Sequence, residues 1–248
     1  MPRFVDAGSP DRAVARFHRA LPQAVWEAAN FEGSPYTLPE VQTLIDGVTV
    51  GGHTLHDERL VLGLITSAQL LRATVADGSF ALDKATSDRF HRIIAEGEAI
   101  EAGHFRGEGT SGGGGRVNLG AHDPYFAPDP GLQGEALLQL HAAGLEEINA
   151  VSGDDPGIAA VLYFCFATRA QFYFDGNKRT ARWMMNGHLM SHGLDAIGIP
   201  VSQQLAWNQN LTRLFTAADA TALMVQMAHC QIERIQRPSD AAPQPESR

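Results

Sequence analysis

The segment from Asp175 to Arg182 groups residue types that bind phosphate and a divalent cation. Gly176 lets the backbone turn sharply after the acid, and Asn177 is predicted to cap the helix that follows. Backbone amides at this end of a helix lie at the positive end of its dipole and form a site for phosphate. Arg179 and Arg182 are three residues apart, so we expect both on one helix face, close enough to clamp further phosphates. With Asp175 as an oxygen ligand for Mg²⁺, the segment predicts a Mg²⁺-nucleotide site.

A plainer interpretation of the same segment is a capped helix that carries solvated basic residues. N-caps and surface arginines are common in proteins, so spacing alone does not decide between the two interpretations.

Three other motif matches lack the context that would give them a function. Residues 107–112 have the glycine spacing of a dinucleotide-binding turn, and residues 109–113 have the spacing of a nucleophile elbow. No apolar strand precedes them and no helix pattern follows. His188 and His192 have the spacing of two metal ligands on a helix, without the Glu of a zincin motif or an evident third ligand. We assign no function to these matches.

Helices are predicted on both sides of the Asp175 loop. Apolar residues recur every three or four positions from Ile158 to Phe166, and a second helix runs from Lys178 to His192 before Gly193. Further helices are predicted over 12–30, 38–47, 56–75, 83–99, 133–149, 203–215 and 219–235, with 197–200 extended. The predicted fold class is therefore all-α.

Residues 103–130 have a different composition, with many glycines, few apolar residues and three prolines. The extended pieces 104–106 and 117–119 predict a β-hairpin flap with a flexible tip, since helices resume on both sides. The chain from Arg237 onward contains three prolines and no apolar cluster, which predicts a disordered tail over 237–248. The remainder, 1–236, is predicted to form a single helical domain.

Composition and charge narrow the class of protein. The 248 residues are enough to bury a core, and the net charge of −9 argues against nucleic-acid binding through bulk electrostatics. Cys165 and Cys230 lie far apart in apolar helical contexts, which indicates small core residues in a reducing compartment. No signal-peptide pattern is found, and no stretch approaches the roughly 18 apolar residues of a membrane span. We therefore expect a cytoplasmic protein that binds neither nucleic acid nor membrane.

Residues 171–182 (QFYFDGNKRTAR) resemble the signature of the Fic family, whose usual form is H-x-F-x-D/E-G-N-G-R-x-x-R. Five positions of the signature match, namely Asp175, Gly176, Asn177, Arg179 and Arg182. Phe31-Glu32-Gly33 is similar to the end of an inhibitory segment, here about 20–33, placed N-terminal to the core. Residues 103–130 are similar to the target-binding flap of the family. The resemblance to the Fic/Doc family covers roughly residues 20–235.

The resemblance implies a Fic-fold helical bundle with a small β-hairpin flap, and ATP and Mg²⁺ as the cofactors. It implies Mg²⁺ on Asp175 and an anion hole formed by Gly176, Asn177 and Lys178. It further implies a phosphate contact for Arg179 and a γ-phosphate contact for Arg182.

The same resemblance implies a gate and a partner. Glu32 would pair with Arg182 and block productive ATP binding, because a carboxylate in the arginine fork denies it to phosphate. A protein substrate would be engaged through the flap, 103–130. Whether the chain forms a homo-oligomer stays open.

Three departures from the family pattern bear on activity. Gln171 stands where the family has its catalytic His, and an amide has no proton-accepting pKa near neutrality. Lys178 replaces the usual Gly, as in the Doc branch, whose members act as kinases on a protein target. Ala28 stands where a Ser or Thr usually precedes the inhibitory Glu.

These observations predict a Mg²⁺-nucleotide-binding protein that transfers AMP to protein hydroxyl groups, or a weakened descendant of one, gated by Glu32. Two alternatives remain at this point. One is a non-catalytic nucleotide-binding pseudoenzyme or regulatory module, and the other is a Doc-like protein phosphotransferase.

Overall fold

The computed structural model describes residues 3–232, so the predicted tail over 237–248 lies outside the described residues. In the described chain the regular elements follow one another as α1 (Pro10–Phe31), α2 (Leu38–Ile45), α3 (Leu55–Ala76), α4 (Lys84–Ile94), β1 (Arg116–Leu119), β2 (His122–Phe126), α5 (Glu135–Ser152), α6 (Pro156–Ala170), α7 (Asn177–Ser191), α8 (Gln204–Ala217) and α9 (Thr221–His229). The prediction of an all-α fold with a small hairpin is confirmed.

The adjacent helices α6 and α7 form the centre of the bundle and hold the Asp175 loop between them. Helix α6 begins at Pro156, where the Asp155 side chain accepts hydrogen bonds from the amides of Gly157 and Ile158 at 2.9 and 3.0 Å. Helix α7 is buried along nearly its whole length, and Trp183 is only 1% exposed. Helices α1, α3 and α4 pack on one side of this pair, and α5 and α8 pack on α6. The loop is therefore fixed by two helices that are themselves core elements.

The flap is a hairpin, and the predicted extended piece 117–119 lies within β1, but its second strand is β2 and not 104–106. Strands β1 and β2 pair antiparallel, with Arg116 opposite Phe126, around a tight turn at Gly120. The prediction of a strand over 104–106 is wrong, because tertiary packing holds these residues instead. Phe105 stacks on Phe172 with ring centroids 4.6 Å apart, and the Arg106 amide donates to the Phe172 carbonyl at 2.8 Å.

Helix α3 corrects the expectation that no stretch could cross a membrane. Its best 18-residue window has a mean hydropathy of 1.2. By length and composition alone, α3 is therefore long and apolar enough to cross a membrane. Half of that window is buried, and Leu64 and Leu71 are fully buried in the bundle core. The apolar character of α3 is explained by its packing against α1, α4 and α7.

Both cysteines are free and buried, as expected for core residues. The histidine pair on α7 has ring centroids 4.3 Å apart. In the part of the chain that the structure describes, no group of three potential metal-ligating side chains includes it.

Candidate functional site

The loop between α6 and α7 is closed by Asn177, which does not cap the helix as predicted. The N-cap is Gly176, whose φ of 70° lies in the left-handed region that glycine adopts without strain. Asn177 is the first helical residue, and its side-chain oxygen accepts from the Tyr173 amide at 2.9 Å. Its side-chain nitrogen donates to the Tyr173 carbonyl at 2.8 Å and to Gln171 Oε1 at 3.2 Å. Asn177 therefore acts as a brace that fixes the loop conformation.

The N-terminus of α7 is available to an anion, with Asp175 beside it. Gly176 has no side chain with which to cap the first amides, so these amides have no partner from within the helix. Asp175 Oδ1 accepts from the Gly176 amide at 2.6 Å, while the side chain as a whole is 66% exposed. The carboxylate therefore keeps oxygen capacity for a hard cation such as Mg²⁺, which typically takes one or two protein carboxylates together with phosphate oxygens.

A cleft of about 620 Å³ opens above this helix end. Its floor is the loop and the first turn of α7, and its walls are β1 with the following turn, and α8. The residues that line it from α8 are Asn208, Leu211, Thr212 and Phe215. The volume lies within the usual range of small-molecule sites, and the mixture of polar floor and partly apolar wall suits a nucleotide.

The two arginines of the segment point away from each other, contrary to the expectation of one shared face. Arg179 reaches the end of α4 and the turn after it, donating to the Ile94 carbonyl at 3.3 Å and to Glu98 Oε2 at 2.6 Å. Arg182 is buried toward α1 and α8, and its guanidinium lies 5.3 Å from the Phe31 ring centroid and 5.8 Å from that of Trp207. Of the two, Arg179 lines the cleft. A spacing of three residues fixed the helix side but not the direction of these long side chains.

Glu32 lies in the cleft, but its ion-pair partner is not Arg182. Its carboxylate is 3.5 Å from Lys178 Nζ. The predicted direct pair with Arg182 is absent from the ion pairs of residues 3–232, although the Glu32 charge acts at longer range on Arg182. Glu32 is the C-cap of α1, and Lys178 is the partly exposed residue in the otherwise buried first turn of α7, so the carboxylate pairs with the lysine rather than with the buried Arg182.

The Gln171 side chain is held inside the loop by both ends of its amide. Its nitrogen donates to the Thr168 carbonyl at 2.7 Å, and its oxygen accepts from Asn177 at 3.2 Å. The residue adopts a left-handed backbone conformation with φ of 50°. A side-chain amide bonded in this way offers the cleft no group that takes up a proton near neutral pH.

His91 on α4 is a site residue that the sequence reasoning missed. Its Nε2 donates to the Asp175 carbonyl and its Nδ1 accepts from the Gly103 amide, each at 2.8 Å. The ring stacks on Tyr173 at 3.7 Å between centroids. Burial lowers the pKa of His91 to about 4, so the ring is neutral and both bonds are made by one tautomer. Glu98 was missed as well, and neither residue belongs to a local motif.

Two buried histidines and one buried glutamate make contributions of opposite sign to the pH dependence of the free energy of unfolding. Burial lowers the pKa of His91 and of His141 to about 4 from an ordinary 6.5, so their contribution is lost as the pH falls from 6.5 toward 4. Burial raises the pKa of Glu27 from 4.5 to about 7, so its contribution is present at low pH and is lost as the pH rises through 7.

We expect Glu27→Gln to make the protein more sensitive to acid. Between pH 7 and pH 5 the protonation of Glu27 offsets about 2 kcal/mol of the stability that the histidines lose, and glutamine cannot supply this. Urea denaturation at the two pH values measures the difference. The variant should lose about 2 kcal/mol more than the wild type over this interval. An equal loss in both proteins would contradict the burial of an acid at this position.

Sequence comparison finds relatives of known activity, although no family model matches the chain. The chain is 24% identical over 210 residues to Protein adenylyltransferase Fic of Drosophila mojavensis, covering 84% of this chain and 39% of the relative. It is 24% identical over 183 residues to the protein of the same name from Drosophila ananassae, covering 73% and 34%. The chain thus spans little more than a third of the length of the curated relatives it matches.

Solved structures with the same architecture are found as well. Fic-1 of C. elegans superposes with a TM-score of 0.70 at 17% identity, covering 90% of this chain and 64% of that one. A Fic domain-containing signaling protein of Bacteroides thetaiotaomicron superposes with a TM-score of 0.68 at 18% identity, covering 90% and 81%. At these identities the likeness is one of fold.

Proposed function

Since the chain is a Fic/Doc family protein in fold and in its sequence relatives, we propose that its cleft binds Mg²⁺-ATP and that it transfers AMP to a protein hydroxyl group. The observation that carries this proposal is the cleft floor. There an exposed carboxylate, Asp175, stands beside the uncapped amino end of α7 and the cation of Lys178. The activity named for the relatives supports the reaction class, and the geometry of the floor supports a nucleotide in this cleft.

The residues present fit Mg²⁺ through Asp175, whose side chain keeps an exposed oxygen toward the cleft. A bound Mg²⁺ would offset the charge of the phosphates. The amides of the first turn of α7 would receive a phosphate oxygen at the positive end of the helix dipole. Lys178 is 41% exposed and would add a cationic contact. In this arrangement the apolar wall from α8 would receive the base.

Transfer of AMP requires the hydroxyl oxygen of the target to form a bond to the α-phosphorus while the bond to the β-phosphate oxygen breaks and pyrophosphate leaves. The hydroxyl proton must go to an acceptor. Gln171 occupies the family's position for that acceptor and cannot take the proton. A positioned general base typically supplies roughly 10²–10⁴-fold in rate, so we propose slow transfer by the wild-type chain.

Two rival functions each have an observation in their favour. Nucleotide binding without transfer is favoured by Gln171, whose side-chain nitrogen and oxygen each make a hydrogen bond within the loop. Phosphoryl transfer of the Doc type is favoured by Lys178, which lies in the cleft at a position where adenylyltransferases of the family have glycine.

ATP labelled separately at the α- and γ-phosphates distinguishes the three functions. The purified protein is incubated with each label, Mg²⁺ and a mixture of candidate target proteins that includes the protein itself. Incorporation from the α-phosphate is the expected result. Incorporation from the γ-phosphate instead would replace the proposal with phosphoryl transfer. Binding of ATP with neither label incorporated would favour nucleotide binding without transfer.

Glu32 is proposed as a gate that acts through Lys178. With the carboxylate 3.5 Å from the ammonium, an incoming phosphate must displace it. We expect Glu32→Gln to tighten Mg²⁺-ATP binding about fivefold, since a half-exposed pair of this kind is worth up to about 1 kcal/mol. Isothermal titration calorimetry measures the change, and Glu146→Gln on the exposed face of α5 is the matched control. Equal affinity in Glu32→Gln and the wild type would rule out the gate.

The flap, residues 103–130, is proposed to engage the target protein. Strand β1 forms one wall of the cleft, so a target segment lying along it would bring a hydroxyl over the cleft floor.

A further inference from the structure

Arg106 is a buried cation whose partners are all backbone carbonyls. Its side chain is 0% exposed, and no carboxylate of the described chain lies within ion-pair distance of it. Burying an arginine without a carboxylate is unfavourable unless its donors are well satisfied.

The guanidinium joins three segments that are distant in sequence. Its Nε donates to the Gln171 carbonyl at 2.6 Å, in the loop that holds the site. Its Nη1 donates to the Gly113 carbonyl at 2.9 Å, on the arm of the flap that leads into β1. Its Nη2 donates to the Pro128 carbonyl at 2.9 Å, on the arm that follows β2. One side chain therefore ties both arms of the flap to the residue at the family's catalytic position.

The flap backbone is shaped around this side chain. A Cβ on Gly115 would stand 2.8 Å from the Arg106 guanidinium carbon, so any larger residue there would push on it. Gly115 also accepts from the Ala127 amide at 2.9 Å, which closes the base of the hairpin. The glycines at the start of the flap thus allow the arms to approach the guanidinium closely.

We propose that Arg106 is a positioning residue that sets the height of the flap above residue 171, and thereby the width of the slot in which a target hydroxyl would meet the nucleotide. The planar guanidinium presents donors on three separate nitrogens in fixed directions, one for each of the three carbonyls. Lysine has the charge but not the fork, and glutamine has neither. A further contact of the hairpin lies on β2, where Tyr125 packs against Phe215 with centroids 5.1 Å apart.

Arg106 matters for transfer only if the cleft receives a protein hydroxyl as proposed above, so the experiment measures flap geometry and not activity. Spin labels are placed at Ala121→Cys in the hairpin turn and Glu147→Cys on the exposed face of α5. The native cysteines are buried and serve poorly as labelling sites. Pulsed electron-electron resonance then gives the distribution of distances between the two labels.

We expect one narrow distribution in the wild type and in the control Arg89→Lys, which changes an exposed arginine of α4. Arg106→Lys and Arg106→Gln should widen it about twofold or more, because the flap loses its hold on the loop and samples open states. Gly115→Ala puts a methyl group against the guanidinium and strains a backbone with φ of 79°, so it should widen the distribution from the flap side. Unchanged distributions in these variants, even with a lower melting temperature, would overturn the proposal. A missing nucleotide activity would not affect the result.

Discussion

Gln171→His is expected to raise AMP transfer by roughly 10²–10⁴-fold, the range that a positioned general base supplies. The substitution places a proton acceptor with a pKa near neutrality at the position where the family has one. The backbone there is left-handed, a conformation in which histidine is tolerated better than most residues. The hydrogen bonds that Gln171 makes to Thr168 and Asn177 are local, so their loss should not disturb the helices on either side. Initial rates with α-labelled ATP and a fixed target measure the gain.

Gln171→Asn is the matched control, since it changes the side chain without adding a proton acceptor and tolerates the same backbone conformation. Its rate should not exceed that of the wild type. A wild-type rate equal to that of Gln171→His would show that another group already accepts the proton. No incorporation from α- or γ-labelled ATP by any of the three, with nucleotide still bound, would favour nucleotide binding without transfer.

Mg²⁺-ATP at about 100 times its dissociation constant is expected to stabilise the folded protein by about 2.7 kcal/mol, because the ligand binds only the native state. Asp175→Ala should abolish this stabilisation, since it removes the oxygen ligand proposed for Mg²⁺. Arg182→Met keeps apolar packing between Phe31 and Trp207 and should leave the stabilisation unchanged, because Arg182 is buried and does not line the cleft. Thermal unfolding monitored with and without Mg²⁺-ATP gives the difference for each protein.

The control for this experiment is Asp154→Ala, an exposed acid at the C-terminal end of α5 that does not line the cleft. It should respond to Mg²⁺-ATP as the wild type does. Stabilisation that survives in Asp175→Ala would show that the nucleotide binds elsewhere, or that it binds in the cleft without this carboxylate. A response lost only in Arg182→Met would favour a phosphate contact by the buried arginine over one by the loop.

The helices and the candidate loop could be predicted because their signals are local. The apolar spacing of α6 and α7 and the glycine that turns the chain at Gly176 all lie within a few residues of one another. The bundle itself follows from such periodicity, since each helix has an apolar face to bury. Helix ends were predicted less well, as in α4, which ends at Ile94 where the sequence pattern continues to 99.

The residues that support the loop could not be predicted, because their partners are remote in sequence. His91 meets the Asp175 carbonyl across 84 residues, Arg179 meets Glu98 across 81, and Arg106 meets the Gln171 carbonyl across 65. Each is a single polar side chain on or after a helix, a pattern that occurs throughout the chain. Only the packing of α4 and the flap base against α7 brings them to the site.

The directions in which long side chains point could not be predicted from the sequence either. Spacing placed Arg179 and Arg182 on one side of α7, and packing then turned one toward α4 and the other toward α1 and α8. Likewise Glu32 was expected to pair with Arg182 but pairs with Lys178, because it is the C-cap of α1 and Lys178 is partly exposed while Arg182 is buried. The sequence predicts which charged residues lie near one another, whereas tertiary packing determines which of them form ion pairs.

Amide hydrogen exchange with and without Mg²⁺-ATP tests most directly whether the cleft is a nucleotide site. Saturating Mg²⁺-ATP is expected to slow exchange of the backbone amides in 174–180, at the loop and first turn of α7, and in 116–120 along β1. The same addition to Asp175→Ala should leave both segments unchanged. Protection confined to other parts of the chain, or no protection at millimolar nucleotide in the wild type, would contradict the assignment of this cleft.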